Sequence, residues 1–239
     1  MPGYLLLAGG GEFGGTMEKP DLQALDLVGG LQAPVRIIPA AAAPDHNDRH
    51  AGQNGVRWFT SLGAMDVISL AIIDRASADD PLLAAELETA RLVYLLGGFP
   101  GHLYRTLAES QAWEAVMKAW NDGAVIGGSS AGAMVLCGTF FDPYEGKIST
   151  GLGLIPDSCF LPHYQDFGKK WAGKLAAQLP GILLIGVDEG TAIINCGQGG
   201  AWQVYGMGGV TLHYEGSEVT YRPDQSFSFP SINPSKPDH

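Results

Sequence analysis

Basic residues are scarce in this chain of 239: 14 Lys and Arg stand against 25 Asp and Glu, a formal charge of −11. Such a surface repels phosphate backbones and anionic lipid, and no Lys/Arg run supplies a local basic patch, so neither nucleic acid nor membrane is an expected partner. Long hydrophobic runs are missing too. No segment approaches the roughly 20 apolar residues of a membrane-spanning helix, and the opening Tyr4-Leu5-Leu6-Leu7-Ala8 is short and lacks the basic start of a signal peptide. The three cysteines, Cys137, Cys159 and Cys196, are odd in number and widely spaced among apolar residues. Reduced thiols in a cytoplasm are therefore expected, not a disulfide frame. Charged residues make up only 16% against 46% hydrophobic, which excludes a disordered chain. One domain over residues 1–229 is expected, with a loose polar, Pro-rich tail over 230–239. There is no internal repeat and no linker long enough to divide the chain.

What is abundant is glycine, 34 residues that punctuate short, β-branched apolar runs. Segments 4–8, 35–38, 67–73, 92–96, 124–126 and 182–187 read as buried strands. Helical stretches lie between them: 81–90, with Leu82, Leu83, Leu87 and Ala90 on one face, and 102–120, with Leu103, Leu107, Trp113, Val116, Met117 and Trp120 on one face. Alternation of this kind predicts an α/β fold with a mostly parallel twisted sheet and helices on both faces. Beyond Gly190, segments 192–196, 203–205, 210–213 and 218–222 read as a short antiparallel appendage. The tryptophan- and Met-bearing helix suits either a core or a homodimer interface.

The most informative stretch is Ala124-Val125-Ile126-Gly127-Gly128-Ser129-Ser130-Ala131-Gly132-Ala133-Met134. It reads as a strand, a sharp turn and a helix start, and Gly128-Ser129-Ser130-Ala131-Gly132 fits the G-x-S-x-G nucleophile elbow. A serine at such a tip takes a strained backbone conformation, and the flanking glycines let the turn close on its neighbours. Its hydroxyl then stands at the carboxyl edge of the sheet, where the Ala131 N–H can donate to an oxyanion. A serine needs a base, and only His163, His213 and His239 follow it. His163 is the best placed, after the apolar Cys159-Phe160-Leu161-Pro162; the other two read as surface groups. The acid that would orient it comes from Asp188-Glu189-Gly190, at the end of the 182–187 run. Glu189 is the first choice, with Asp188, Asp142 and Glu145 as rivals. A second oxyanion donor is expected from Leu96-Gly97-Gly98, with Gly98 preferred. Around these segments, Phe99, Tyr164 and Lys169 are candidate substrate contacts.

Taken in order, Asp74–Asp80, Leu96-Gly97-Gly98, Gly128–Ala133, Gly151–Pro156, His163 and Gly186–Ala192 resemble the peptidase E and cyanophycinase family of serine peptidases over most of the chain. The resemblance implies a fold like the class I glutamine amidotransferase domain, with serine in place of that group's cysteine. It also implies Ser130 as nucleophile, His163 as base and Glu189 as acid. In peptidase E the acid is usually placed on the loop after the nucleophile, which keeps Asp142 and Glu145 open. Cyanophycinases carry Gly-Gly-Asp-Gln where this chain has Gly97-Gly98-Phe99-Pro100, and Asp-Gln where it has Leu161-Pro162. They also carry arginines after the histidine, where this chain has Gln165, Asp166, Lys169 and Lys170. Degradation of the aspartate-arginine polymer is not expected. Nor is strict preference for acidic residues, because no arginine occurs between Arg105 and Arg222; a lysine or a distant arginine would have to reach the pocket.

Two rival motifs are present. Gly9-Gly10-Gly11-Glu12-Phe13-Gly14 fits the dinucleotide fingerprint G-x-G-x-x-G, but the second strand ends without a ribose-binding acid and Pro20 makes a poor helix start. A glycine turn lining the site is the preferred account. Asp45-His46-Asn47-Asp48-Arg49-His50 has i, i+4 histidines, yet it lacks the rest of a metalloprotease motif and reads as a solvated helix start capped by Asp45. No metal and no cofactor are expected. The function expected is hydrolysis of short peptides through an acyl-enzyme; the alternative is a catalytically silent or small-ligand or nucleotide-binding α/β module. With a histidine as base, activity should rise through roughly pH 6–7 as an ordinary imidazole loses its proton. A pH–rate profile of kcat/KM without such a limb would count against the base.

Overall fold

The apolar runs become strands in the computed structural model, which describes residues 3–197 and 200–230. β1 (Tyr4–Ala8) leads into α1 (Glu18–Asp26), β2 (Val35–Ile38) into α2 (Asp48–Ser61), and β3 (Val67–Ser69) into α3 (Arg75–Ala78) and α4 (Pro81–Glu88). β4 (Leu92–Leu95) is followed by α5 (Pro100–Leu107) and α6 (Gln111–Asn121), and β5 (Val125–Ser129) by α7 (Ala131–Leu136). The chain continues with β6 (Cys137–Asp142), β7 (Lys147–Thr150), β8 (Ile155–Leu161), a wide turn over Tyr164–Gly168, and α8 (Lys169–Gln178). Then come β9 (Leu183–Val187), β10 (Thr191–Ile194), β11 (Trp202–Gly206), β12 (Val210–Tyr214), β13 (Ser217–Tyr221) and β14 (Ser226–Phe227).

These strands form two sheets. In the first, β1, β5, β4, β2 and β3 lie side by side and parallel. β10, β11 and β14 extend it in antiparallel fashion from the β1 side. β1 is buried on both faces, as a central parallel strand must be. Leu5 and Leu7 join the larger core, whereas Leu6 and Ala8 pack with Leu25, Phe59 and Tyr94 beneath α1 and α2. The second sheet has the order β13-β12-β9-β8-β6-β7, parallel only through β9, β8 and β6. Phe140, Phe160 and Ile185 turn its inner side to the larger core, and Cys159, Leu161 and Leu184 turn the other side to α8.

The α/β class and the alternation of strands and helices hold, and the arrangement differs from expectation in four places. The 182–187 run is a strand, but of the second sheet, between β8 and β12. The antiparallel strands are no separate appendage: β10 and β11 complete one sheet and β12 and β13 the other. Gly206, at φ 101°, makes this possible, since a Cβ there would lie 2.1 Å from the Gly190 carbonyl oxygen. The helix expected over 102–120 is two helices, because Glu109 takes φ 59° and the Ser110 hydroxyl caps α6 by accepting the Trp113 N–H at 3.1 Å. The strand expected over 67–73 stops at Ser69, and Asp74 and Ser77 form a capping box that starts α3. Of the tail expected to be loose, 231–239 lies outside the described residues. Among the described residues no helix is long and apolar enough to cross a membrane.

One buried group carries a measurable consequence. Asp21 on α1 is fully buried; its Oδ2 accepts the Trp58 indole N–H at 2.7 Å, and its Oδ1 has no partner among the described residues. Burial, with the nearby Glu12 charge adding, pushes its carboxyl up to about 7, partly offset by the Trp58 hydrogen bond. From about pH 4, where an unfolded Asp loses its proton, up to about pH 7, the native state holds a proton that the unfolded chain has released. Stability therefore falls as pH rises through that window and levels off above it. Asp21→Asn should remove this component, so that in thermal denaturation the Tm of the variant minus that of the wild type grows from pH 4 to 7 and is constant beyond.

Candidate active site

The carboxyl ends of β1, β4 and β5 of one sheet meet those of β8 and β9 of the other, and the candidate residues gather at that seam. Ser130 stands between β5 and α7 with φ 48° and ψ −111°, a conformation that costs a non-glycine residue free energy and is held by its surroundings. Its N–H donates to the Ala8 carbonyl at 3.0 Å. The glycines on either side act as the elbow motif requires. A Cβ on Gly128 would lie 2.5 Å from the backbone of Gly132, and one on Gly132 would lie 2.2 Å from the Leu95 carbonyl oxygen.

His163 follows β8 in a left-handed conformation, φ 44°, with its N–H donating to the Gly9 carbonyl at 2.7 Å. Its ring rests on the bare Cα of Gly10, where a Cβ would fall 2.2 Å from the imidazole Cε1. Only glycine permits that contact. Nε2 of His163 is 3.1 Å from Ser130 Oγ, and Nδ1 is 3.3 Å from Glu189 Oε2. With Nδ1–H donating to the carboxylate, Nε2 is left to accept the serine proton; this tautomer follows from the partners. Glu189 follows β9, half exposed, and the adjoining Gly190 N–H donates to the Gly10 carbonyl at 3.0 Å. The Gly9–Gly11 turn thus lines the site, as the sequence reading preferred. The dinucleotide alternative loses its loop to this packing, although a helix does start after it, with Pro20 in the first turn of α1.

The rival acids are engaged elsewhere. Asp142 is buried, and its Oδ1 accepts the N–H groups of Tyr144 and Glu145 at 2.9 and 3.2 Å. Glu145 pairs with Arg105 at 2.8 Å and Lys147 at 2.5 Å, and these hydrogen bonds hold its carboxyl below the ordinary range. Asp188 accepts the Gly209 N–H at 2.7 Å. At the edge expected to hold the oxyanion, Gly97 faces Ser130: a Cβ there would lie 3.3 Å from Ser130 Cβ. Gly98, at φ 136°, backs onto the Ala41 carbonyl. The N–H groups of Gly97, Gly98 and Ala131 donate to no acceptor among the described residues, which leaves them for a substrate oxygen.

The expected substrate contacts fare differently. Phe99 stacks on the exposed Tyr144 with ring centroids 4.0 Å apart, beside the Gly97–Gly98 edge. Tyr164 is differently placed. It is buried, covers Gly186, and shares a 2.5 Å hydrogen bond with His213 Nε2, so it packs on the second sheet. The left-handed backbone at His163, beyond the end of β8, turns its successor toward Gly186. Burial pushes the Tyr164 hydroxyl up to about 12. Burial lowers the His213 imidazole, with the Glu218 charge opposing and that of Lys169 adding to the fall. Lys169 lies on this His213 side, exposed at the start of α8.

Two residues escaped the sequence reading. Glu12, in the turn after β1, accepts the hydroxyl of fully buried Ser129 on Oε2 at 2.7 Å. Arg57, on α2, lines a cavity of about 610 Å³ that also touches Glu12, Phe13, Trp58 and Gly97. A distant arginine therefore does reach the neighbourhood of the site. An acid directly after a glycine turn on the first strand was the available signal for Glu12; Arg57 had none. His46 and His50 do not share a helix face, since His46 precedes α2 at φ 56° and Asn47, not Asp45, stands at the N-cap. Among the described residues no group of three or more His, Cys, Asp or Glu could hold a metal ion.

Fold and site together define an α/β protein built around a nucleophile-elbow serine. The chain belongs to peptidase family S51, whose sequence profile matches residues 5–201. It is 30% identical over 207 residues to a cyanophycinase of Trichormus variabilis, covering 81% of this chain and 67% of that protein. With a cyanophycinase of Synechococcus elongatus it shares 29% identity over 197 residues, 77% of this chain and 59% of the relative, so it spans about three fifths of that protein's length. The crystal structure of a peptidase from an acI-B1 Actinobacterium superposes with a TM-score of 0.86 at 29% identity, over 96% of this chain and 98% of the other.

The choice of acid can be measured. If Glu189 orients His163, Glu189→Gln should lower kcat by about 100-fold or more with little change in KM. Glu145→Gln, which breaks only surface ion pairs, should leave kcat within about twofold. The reverse pattern would place the acid on the β6–β7 turn.

Proposed function

We propose that the protein is a serine peptidase that cleaves short peptides through an acyl-enzyme on Ser130. The observation that carries this reading is the 3.1 Å approach of His163 Nε2 to Ser130 Oγ at a strained elbow. His163 takes the serine proton as Oγ attacks the scissile carbonyl, and the charge that develops on the carbonyl oxygen is met by N–H groups of Ala131 and the Gly97–Gly98 edge. The imidazolium, oriented by Glu189, protonates the leaving amine. Water, activated by the same histidine, then attacks the acyl carbon and releases the acid product with Ser130 restored.

Family membership and the cyanophycinase relatives support peptide-bond hydrolysis as the chemistry. Short peptides are favoured over the aspartate-arginine polymer because of what stands at two edges of the site. One edge carries Phe99, stacked on Tyr144, and the residues that lead into His163 are the buried, apolar Leu161-Pro162. The reading puts the enzyme in the cytoplasm, in keeping with three unpaired cysteines, of which Cys137 and Cys159 are buried with thiols raised to about 12 by that burial.

Incubation with a fluorophosphonate, followed by intact-mass analysis and peptide mapping, tests the nucleophile. A single adduct on Ser130, absent from Ser130→Ala, is expected, and a dipeptide library should then yield hydrolysed members. A folded protein that takes no label would replace the enzyme reading with that of a silent binding module.

A further inference from the structure

Glu12 holds a carboxylate beside the reacting serine, and the hydrolysis described above does not use it. Its Oε2 is satisfied by Ser129, the residue before the nucleophile, at 2.7 Å. Its Oε1 accepts no hydrogen bond among the described residues, and it lies 3.1 Å from where a Cβ on Gly97 would stand. The same Cβ would lie 3.3 Å from Ser130 Cβ, so the free oxygen and the nucleophile flank one bare glycine. The carboxylate is held from both ends. Beyond its bond to Ser129, the next residue, Phe13, takes φ 63° and lays its ring against Tyr94 and Phe59 with centroids 5.6 and 6.2 Å away. Gly97 and Glu12 both open onto the cavity of about 610 Å³ between α2 and this loop, whose other walls include Trp58, Asn54 and Arg57.

We infer that Glu12 anchors the free α-amino group of the substrate, which makes it a specificity-determining residue and directs cleavage to the bond after an amino-terminal residue. This rests on the reading of Ser130 as nucleophile. In a peptide the α-nitrogen is two bonds from the carbonyl carbon, about 2.5 Å away, so an acyl group placed on Ser130 brings its own α-nitrogen within reach of the group that flanks Ser130. An α-ammonium there donates charge-assisted hydrogen bonds to Oε1. An internal residue would instead bring an amide, and with it the preceding carbonyl oxygen facing a carboxylate, an unfavourable pairing in a half-enclosed site. The side chain of the amino-terminal residue then has the 610 Å³ cavity to enter.

The test compares one dipeptide library in two forms, free and N-acetylated. Hydrolysis is read by mass spectrometry, and protection of Ser130 from the fluorophosphonate is read in parallel, so that binding is scored even for peptides that turn over slowly. Wild-type protein should prefer free over acetylated peptides by roughly 10- to 100-fold in kcat/KM, the range for losing a hydrogen bond to a charged group. In Glu12→Gln, which keeps an oxygen for Ser129 but no charge, that preference should collapse to within about threefold, chiefly through a higher KM for the free peptides. Equal use of both forms by the wild type, or no protection by either, overturns the inference, as does a preference that survives in Glu12→Gln. A loss in Glu12→Gln that is equal for free and acetylated peptides would mean that Glu12 only supports the elbow. Absence of labelling at Ser130 is a different result, since it overturns the nucleophile and this inference with it.

Discussion

The whole site depends on backbone approaching backbone where two sheets end. Gly9 shows this: a Cβ there would stand 2.2 Å from the Asp188 carbonyl oxygen and 2.3 Å from that of Val187. Because Gly9 has none, the end of β1 lies against the end of β9, and the acid that follows β9 arrives beside the turn that follows β1. Gly10 repeats the device under the His163 ring, and Gly128 and Gly132 repeat it under Ser130. A side chain at Gly9 or Gly10 would push the ends of the two sheets apart, and one at Gly128 or Gly132 would push the Ser130 turn off β4. Catalytic hydrogen bonds do not survive such displacements.

The approach also explains why the three candidate catalytic groups come from different sheets. Ser130 belongs to the end of β5, in the parallel half of the first sheet, while His163 and Glu189 follow β8 and β9 of the second. Parallel strands all deliver their carboxyl ends to one edge, and loops at that edge are where an α/β fold can assemble side chains from distant parts of the chain. The cross-sheet hydrogen bonds of His163 N–H to Gly9 and of Gly190 N–H to Gly10 then tie histidine and acid to the same turn. Strain at Ser130 and His163, both at positive φ, is balanced by these ties and by the apolar core between the sheets.

Glu12 and Asp21 bring a second electrostatic element next to the first. Two carboxyl groups sit on the α1 and α2 side of the sheet, one open to a cavity and one closed off beneath Trp58. The Glu12 charge adds to the burial that raises the Asp21 carboxyl. Asp21 holds its proton to about neutrality. Phe13, Phe59 and Tyr94 form the apolar wall beside them, and the Tyr94 hydroxyl is also pushed well up by burial.

Much was legible in the chain alone, because some constraints are local. The elbow glycines around Ser130, the strand runs, and the placing of a histidine and an acid after apolar segments all follow from steric rules acting over a few residues. The division into two sheets was not legible. Segments 137–142 and 155–161 carry the same apolar signature as any strand, and no local rule says that 182–187 pairs with β8 and not with β5. The break in the 102–120 helix turned on one cap at Ser110 against a continuous apolar stripe. The direction of Tyr164 was not legible either, because the residue beside a site histidine can face either way and only packing against Gly186 chose. Sequence by itself determined the setting of Ser130 and the class of fold, since both are matters of short-range sterics and periodicity. Tertiary structure alone decided which acid meets His163 and that Glu12 stands beside Ser130. Those contacts join residues 26 and more than 100 positions apart, and only the lateral pairing of β8 with β9 and of β1 with β5 brings them within hydrogen-bonding range.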